Sequence, residues 1–111
     1  MDMVIERSKW LRGGAGVVSM LLSPKSGRMC CLGFYALACG YGREDIANVV
    51  SPMRLKNPLM FSSTIATERG NSDQCNKLMN VNDEEMLEEP QREQQLTTLF
   101  KEINVNVMFI D

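Results

Sequence analysis

Four cysteines, six clustered carboxylates, a basic segment around the single tryptophan and a glycine-rich stretch are the residues of this 111-residue chain that could do chemistry. Histidine is absent. Without it there is no Ser-His-Asp or Cys-His pair, no histidine general base and no metal site of the commoner kinds. Cys30 and Cys31 fall in the first turn of a predicted helix beside Arg28, a placement that can lower a thiol pKa and create a nucleophile. The same residues suit a tightly packed helix start, which is the preferred reading. A vicinal pair inside an apolar run is poorly placed for two separate disulfides, so Cys30, Cys31, Cys39 and Cys75 are expected to be buried free thiols. Zinc is not expected, because C-x-x-C is missing and helical geometry sends the thiols at 30, 31 and 39 in divergent directions.

Asp83, Glu84, Glu85, Glu88, Glu89 and Glu93 place six carboxylates within eleven residues. With only Met86 and Leu87 as apolar neighbours, nothing there would raise one pKa for acid catalysis, and the EF-hand spacing is missing. Two readings remain: a solvated loop with a dipole-matched helix start, or a surface that meets a basic partner such as a nucleic-acid-binding protein. Arg7, Trp10, Arg12 and Arg28 form an alternative ligand-binding set, with cations around an aromatic that could hold a nucleotide or phosphate. Direct nucleic-acid binding is disfavoured by Asp2 and Glu6 interleaved among those cations and by a pI near 5.2. Gly13-Gly14-Ala15-Gly16 has neither a Walker motif nor G-x-G-x-x-G, so a flexible connector is expected.

The elements that must position these residues follow from periodicity. Met1, Met3 and Ile5 alternate with Asp2, Val4 and Glu6, predicting a strand over 2–7. A second strand is predicted over 17–22, before a Pro/Gly turn at 23–27. Met29 to Cys39 is uncharged and apolar on every side of a helical wheel, which predicts a central buried helix over 29–39. It is too short to span a bilayer. Ile46, Val49 and Val50 suggest a short helix over 43–50, ended by Pro52. Asn71, Ser72 and Asp73 offer N-caps for a helix over 73–80, which Asn80 to Asp83 should break. Pro90 and the i, i+3, i+4, i+7 set of Leu96, Leu99, Phe100 and Ile103 predict a helix over 90–103, and alternation predicts a last strand over 104–110. The expected fold is α+β, a single compact domain over 1–111 with a mixed or antiparallel sheet of about three strands.

Charge divides along the chain. Residues 1–57 carry a net +4 and residues 58–111 a net −6. Neither a signal peptide nor a lipoprotein cysteine is expected, since Asp2 and Glu6 interrupt the basic start and no small-x-small cleavage site follows. A cytoplasmic location is expected.

Trp10 and Gly13 in KWLRG, Leu21-Leu22 before a turn, GRMCCLGF over 27–34, Leu78, Asn82-Asp83 and the ending LTTLFKEINVNVMFID together resemble a loose group of uncharacterised small bacteriophage and prophage proteins. The resemblance covers most of the chain, and CCLG is its distinctive motif. It implies origin more than mechanism. By analogy of size and source, it suggests a non-enzymatic accessory protein that binds and blocks a host macromolecule in the bacterial cytoplasm, as anti-CRISPR and other anti-defence proteins do. In that reading the acidic stretch is the partner surface, and no cofactor, metal, membrane or nucleic-acid ligand is involved. The alternatives are a small-ligand or nucleotide-binding module built on the basic segment and, less favoured, a cysteine-dependent enzyme.

Overall fold

The alternation at the amino terminus forms strand β1, Asp2–Glu6, with Met3 and Ile5 turned inward and Asp2 and Val4 outward. The computed structural model describes residues 1–13, 20–55, 65–67 and 70–111. After β1, a 3-10 turn at Arg7–Lys9 leads to Trp10, which bridges Met29. Two backbone hydrogen bonds, Leu11 N–H to the Met29 carbonyl and Met29 N–H to the Lys9 carbonyl, fix that crossing. Helix α1, Cys31–Ala38, follows at once, and its first six residues are all buried. The buried helix predicted over 29–39 thus forms over 31–38, because Met29 is taken by Lys9 and Leu11 and Cys30 is the extended N-cap; Leu37 is half-buried and Ala38 exposed, so only the first six residues are enclosed.

The remaining elements are α2, Arg43–Ile46, a 3-10 turn at Pro52–Arg54, β2, Ala66–Thr67, β3, Gly70–Asn71, α3, Asp73–Asp83, α4, Glu89–Lys101, and β4, Asn106–Ile110. Strand β4 lies parallel to β1, with Met3 opposite Val107 and Ile5 opposite Phe109. A parallel pair cannot be joined by a hairpin; here every intervening helix lies in the crossover. A separate antiparallel pairing joins β2 to β3. The fold is α+β, and the main pair is parallel rather than mixed or antiparallel, with α1 to α4 in the long crossover that a parallel pair needs. One contiguous core includes Ile5, Trp10, Leu32, Ile46, Leu78, Leu96 and Phe100. The radius of gyration is 12.6 Å, close to the ~13 Å of a folded chain of this length.

Four element expectations are corrected here. Of the strand predicted over 17–22, residues 17–19 lie outside the described residues. Leu22 makes one isolated bridge to Ala47, and among the described residues no third strand joins β1 and β4. Segment 20–22 instead serves the start of α1, where the Cys30 N–H donates to the Met20 carbonyl. The helix predicted over 43–50 ends at Ile46. Ala47 is extended and Asn48 takes φ 63°, so Asn48 N–H reaches the Leu22 carbonyl and the Val49 carbonyl accepts from Leu21 N–H. The break expected at Asn80 to Asp83 does not occur, since α3 runs on to Asp83. Asn82 bonds distant partners and therefore does not compete with its own helix backbone. The last strand begins at 106, two residues later than predicted, because Asn104 takes φ 64° in the turn after α4.

Gly33 is where α1 and segment 20–22 touch. A Cβ added there would fall 1.8 Å from the Leu21 carbonyl oxygen, a backbone atom that cannot rotate away. Gly33→Leu is therefore expected to cost about 3 kcal/mol, the upper end of the usual range for overpacking. Gly33→Ala should share most of that loss. Urea denaturation reads both, and an unchanged midpoint for Gly33→Ala would refute the close approach.

Candidate functional site

Some of the residues singled out by type, among them Arg7, Trp10, Arg12, Cys31, Asp83, Glu89 and Glu93, meet at two neighbouring places: a buried polar junction and the charged seam beside it. Asn82 is the centre of the first. It is fully buried on the face of α3 that also carries Cys75 and Leu78. Its Oδ1 accepts from the Trp10 indole N–H at 2.8 Å and from the Cys31 backbone N–H at 3.0 Å. Its Nδ2 donates to the Leu11 carbonyl at 3.0 Å and to the Asp83 carboxylate at 2.9 Å. One amide thus ties the segment after β1, the start of α1 and the end of α3 together.

Arg92 completes the junction from α4. It is 1% exposed. Its Nη1 donates to the carbonyls of Val81 at 2.6 Å and Asn82 at 2.9 Å, and its Nη2 to those of Glu84 at 2.7 Å and Leu87 at 2.9 Å. The Nε reaches the Glu89 carboxylate at 3.3 Å. Carbonyls at a helix C-terminus lack intrahelical partners and carry the negative end of the macrodipole, so a guanidinium there satisfies both needs. The Asn82 carbonyl also accepts from Gly13 N–H at 2.9 Å. Gly13 has φ 21°, and a Cβ on it would fall 2.3 Å from Arg92 Nη2. Its conformation and the guanidinium's space both require glycine.

Next to this junction, the two residue sets considered as rival sites pair with each other. Arg7 forms a two-pronged contact with Glu93, Nε and Nη2 each at 2.8 Å, and reaches Asp111 at 2.9 Å. Hydrogen bonds to Glu93 and then Asp111 push the Arg7 pKa above its already high ordinary value. The same guanidinium lies 6.0 Å from the Phe109 ring centre. Arg12 pairs with Glu89 and stacks 4.3 Å from the ring centre of Trp10. Trp10 itself is 1% exposed, so it offers no open stacking face. Arg28 stands apart, exposed after the 23–27 turn and without an ion pair among the described residues. Arg7, Trp10, Arg12 and Arg28 therefore do not form a basic pocket. Of the acidic set, Glu89 and Glu93 face these arginines, while Asp83, Glu84, Glu85 and Glu88 are exposed around the α3–α4 connection. Met86, 84% exposed, stands among them, and the Glu84 carboxylate accepts from its N–H.

The thiols are not activated. Burial pushes Cys30 and Cys75 up to about 12 and raises Cys31 well above its ordinary value, outweighing the helix N-terminus. Cys30, Cys31 and Cys75 are buried and free, whereas Cys39 is only half-buried because α1 ends at Ala38 and Cys39 is its C-cap. Maleimide labelling should therefore modify Cys39 in the native protein and spare the other three until unfolding. Equal rates for all four would contradict the placement of α1. The raised pKa values also set an alkaline limit. Between about pH 9 and 12 the unfolded chain loses thiol protons that Cys30 and Cys75 keep in the folded chain, so stability falls by about 1 kcal/mol per pH unit for each of these two. Below pH 9 that contribution is fully present. Cys75→Ala should flatten the decline in stability above pH 9, measured by denaturation at a series of pH values.

Among the described residues no group of three or more Cys, Asp or Glu is placed to hold a metal ion. A groove of about 500 Å³ between α3 and α4 is floored by Val81 and Leu99 and rimmed by Asn80, Gln94 and Thr98. Lys77 is its single ionisable residue. No helix among the described residues is long and apolar enough to cross a membrane. Sequence reasoning missed Asn82 and Arg92. The signal was their spacing: Arg92 is four residues before Leu96 and Asn82 four after Leu78, on the buried faces of their helices. Compared with known proteins, the chain matches no family model, no curated protein and no solved structure.

Proposed function

We propose that this chain is a non-enzymatic binding protein, a phage or prophage accessory that acts in the bacterial cytoplasm by occupying a basic surface of a host macromolecule, as an anti-defence inhibitor would. One observation carries the reading: the arginines of the amino-terminal segment are held by Glu89 and Glu93. Cations that could have neutralised the rest of the acidic stretch are thereby fixed on its inner side, leaving Glu84, Glu85 and Glu88 with exposed Met86 at the outer turn. Carboxylates around a protruding thioether offer steering by charge and an apolar point of contact. The buried thiols and the shielded Trp10 supply no comparable chemistry for the enzymatic or nucleotide-binding readings.

The test is capture of a partner from a bacterial host lysate, followed by titration of that partner against variants at graded salt. Glu84, Glu85 and Glu88 changed together to Gln should lower the association rate about tenfold at low salt and flatten its salt dependence. Asp83 is left intact because it bonds Asn82. Arg7→Ala with Arg12→Ala removes two cations from beside the acidic stretch, while Glu89 keeps its contact with Arg92, so binding should hold or strengthen. A Gln variant that binds like the parent, with the Arg variant inactive, would overturn the acidic-surface reading.

A further inference from the structure

Both strands of the two-stranded parallel pair are edges, and β4 is the more exposed of the two. On β1 the inward side chains Met3 and Ile5 are 4% and 0% exposed, whereas on β4 even the inward Val107 and Phe109 remain partly open. Among the described residues nothing pairs with the far edge of β4. Asn106 N–H donates to the Met1 carbonyl at 2.8 Å, so residues 106, 108 and 110 direct their backbone groups at β1. By alternation, residues 107 and 109 turn theirs outward.

An open edge is ordinarily guarded by a lysine, a proline, a bulge or an inward-pointing charge. Residues 104–110 of this chain, NVNVMFI, have no charge and no proline. The charges of the pair lie on β1, as Asp2 and Glu6, or are engaged, as Asp111 is by Arg7. A second copy therefore meets no like-charge repulsion along β4. We propose that the chain self-associates by antiparallel pairing of β4 with β4 of a second copy, extending two parallel pairs into one four-stranded sheet.

The register follows from which backbone groups point outward. With residues 107 and 109 carrying the free N–H and carbonyl groups, a two-fold axis at Met108 sets Val107 opposite Phe109 of the second copy and the reverse. All the outward groups at 107 and 109 are then satisfied in one ladder. Met108, 63% exposed, meets its own counterpart as a non-hydrogen-bonded pair, flanked on the same face by Val4 of each copy. Asn106 lies opposite Ile110. A strand of this length buries less than the roughly 800 Å² per partner of a standard interface, so the dimer is a concentration-dependent one.

Light scattering after size exclusion, across the micromolar range, tests the proposal on the full chain. The expected mass rises from that of the 12.5 kDa chain towards twice that value. Met108→Lys places two ammonium groups across the axis and should restore the monomer, with the denaturation midpoint of the parent at concentrations where the parent is itself monomeric. Met108→Cys in a Cys39→Ser background should cross-link as a disulfide dimer under mild oxidation, since a non-hydrogen-bonded antiparallel pair brings its Cα atoms to about 4.5 Å. Asn106→Cys in the same background should not. A parent chain that stays monomeric, a dimer that survives Met108→Lys, or equal cross-linking at 106 and 108 would each overturn it.

Discussion

Arg92→Leu is expected to destabilise the fold by at least ~4 kcal/mol, enough to leave a domain of ordinary stability close to unfolded. Leucine fills much of the guanidinium's stem volume but withdraws the guanidinium's donors from the carbonyls of Val81, Asn82, Glu84 and Leu87; the Asn82 carbonyl keeps the Gly13 N–H and that of Glu84 a long contact to the Leu87 N–H. Each buried acceptor left without a partner costs about 1–3 kcal/mol. Arg92→Lys keeps the charge and tests the geometry, because a single ammonium cannot serve carbonyls spread across two edges of a planar fork. It should recover part of the loss only. Urea denaturation followed by circular dichroism measures both. A midpoint for Arg92→Leu within error of the parent would mean that water reaches these carbonyls and that the junction is not closed.

Asn82→Leu is the second large effect, at about 3–4 kcal/mol. The change strands the Trp10 indole N–H and the Cys31 N–H, both in the buried junction, and removes the donor from the Leu11 carbonyl. Because the chain has one tryptophan, its emission reports directly on this site. It should shift to the red before global unfolding as the indole loses its partner and water enters. Asn82→Asp retains an acceptor but brings a buried charge next to Asp83, so it should be less stable at neutral pH than at acidic pH. Losses in the double variant Asn82→Leu with Arg92→Leu should fall short of the sum of the singles, because the two side chains support the same turn of α3.

Elements with a single dominant period were legible in the sequence. The strand read over 2–7 formed over 2–6, the buried helix read over 29–39 formed over 31–38, and the helix read over 90–103 formed over 89–101 with Leu96 and Phe100 buried but Leu99 and Ile103 only half-buried. Where sequence reading failed, tertiary partners had replaced local preference. Val49 looks helical from its spacing to Ile46, yet its carbonyl is taken by Leu21. Asn80 to Asp83 look like a helix stop until Asn82 is seen to spend its amide on Trp10, Leu11 and Cys31. Arg92 reads as a lone cation in an acidic stretch, because nothing local reveals four carbonyls converging on it. The carboxylates were found by composition, but composition could not tell that two of the six face arginines from the other end of the chain. Charge signs are visible in a sequence; the fold decides which of them remain unpaired.

The parallel pairing of β1 with β4 also governs when this protein can finish folding. Strand β1 emerges from a ribosome well before β4, so it must wait through the synthesis of α1 to α4 before its ladder can form. Met1 is held in the same clasp, its ammonium donating to the Asn104 carbonyl. Closing a loop that spans nearly the whole chain is among the slower steps open to a small domain. The nascent chain can gather its helices around α1 while it grows, but β1 can be fastened only once β4 itself has been made and released from the ribosome.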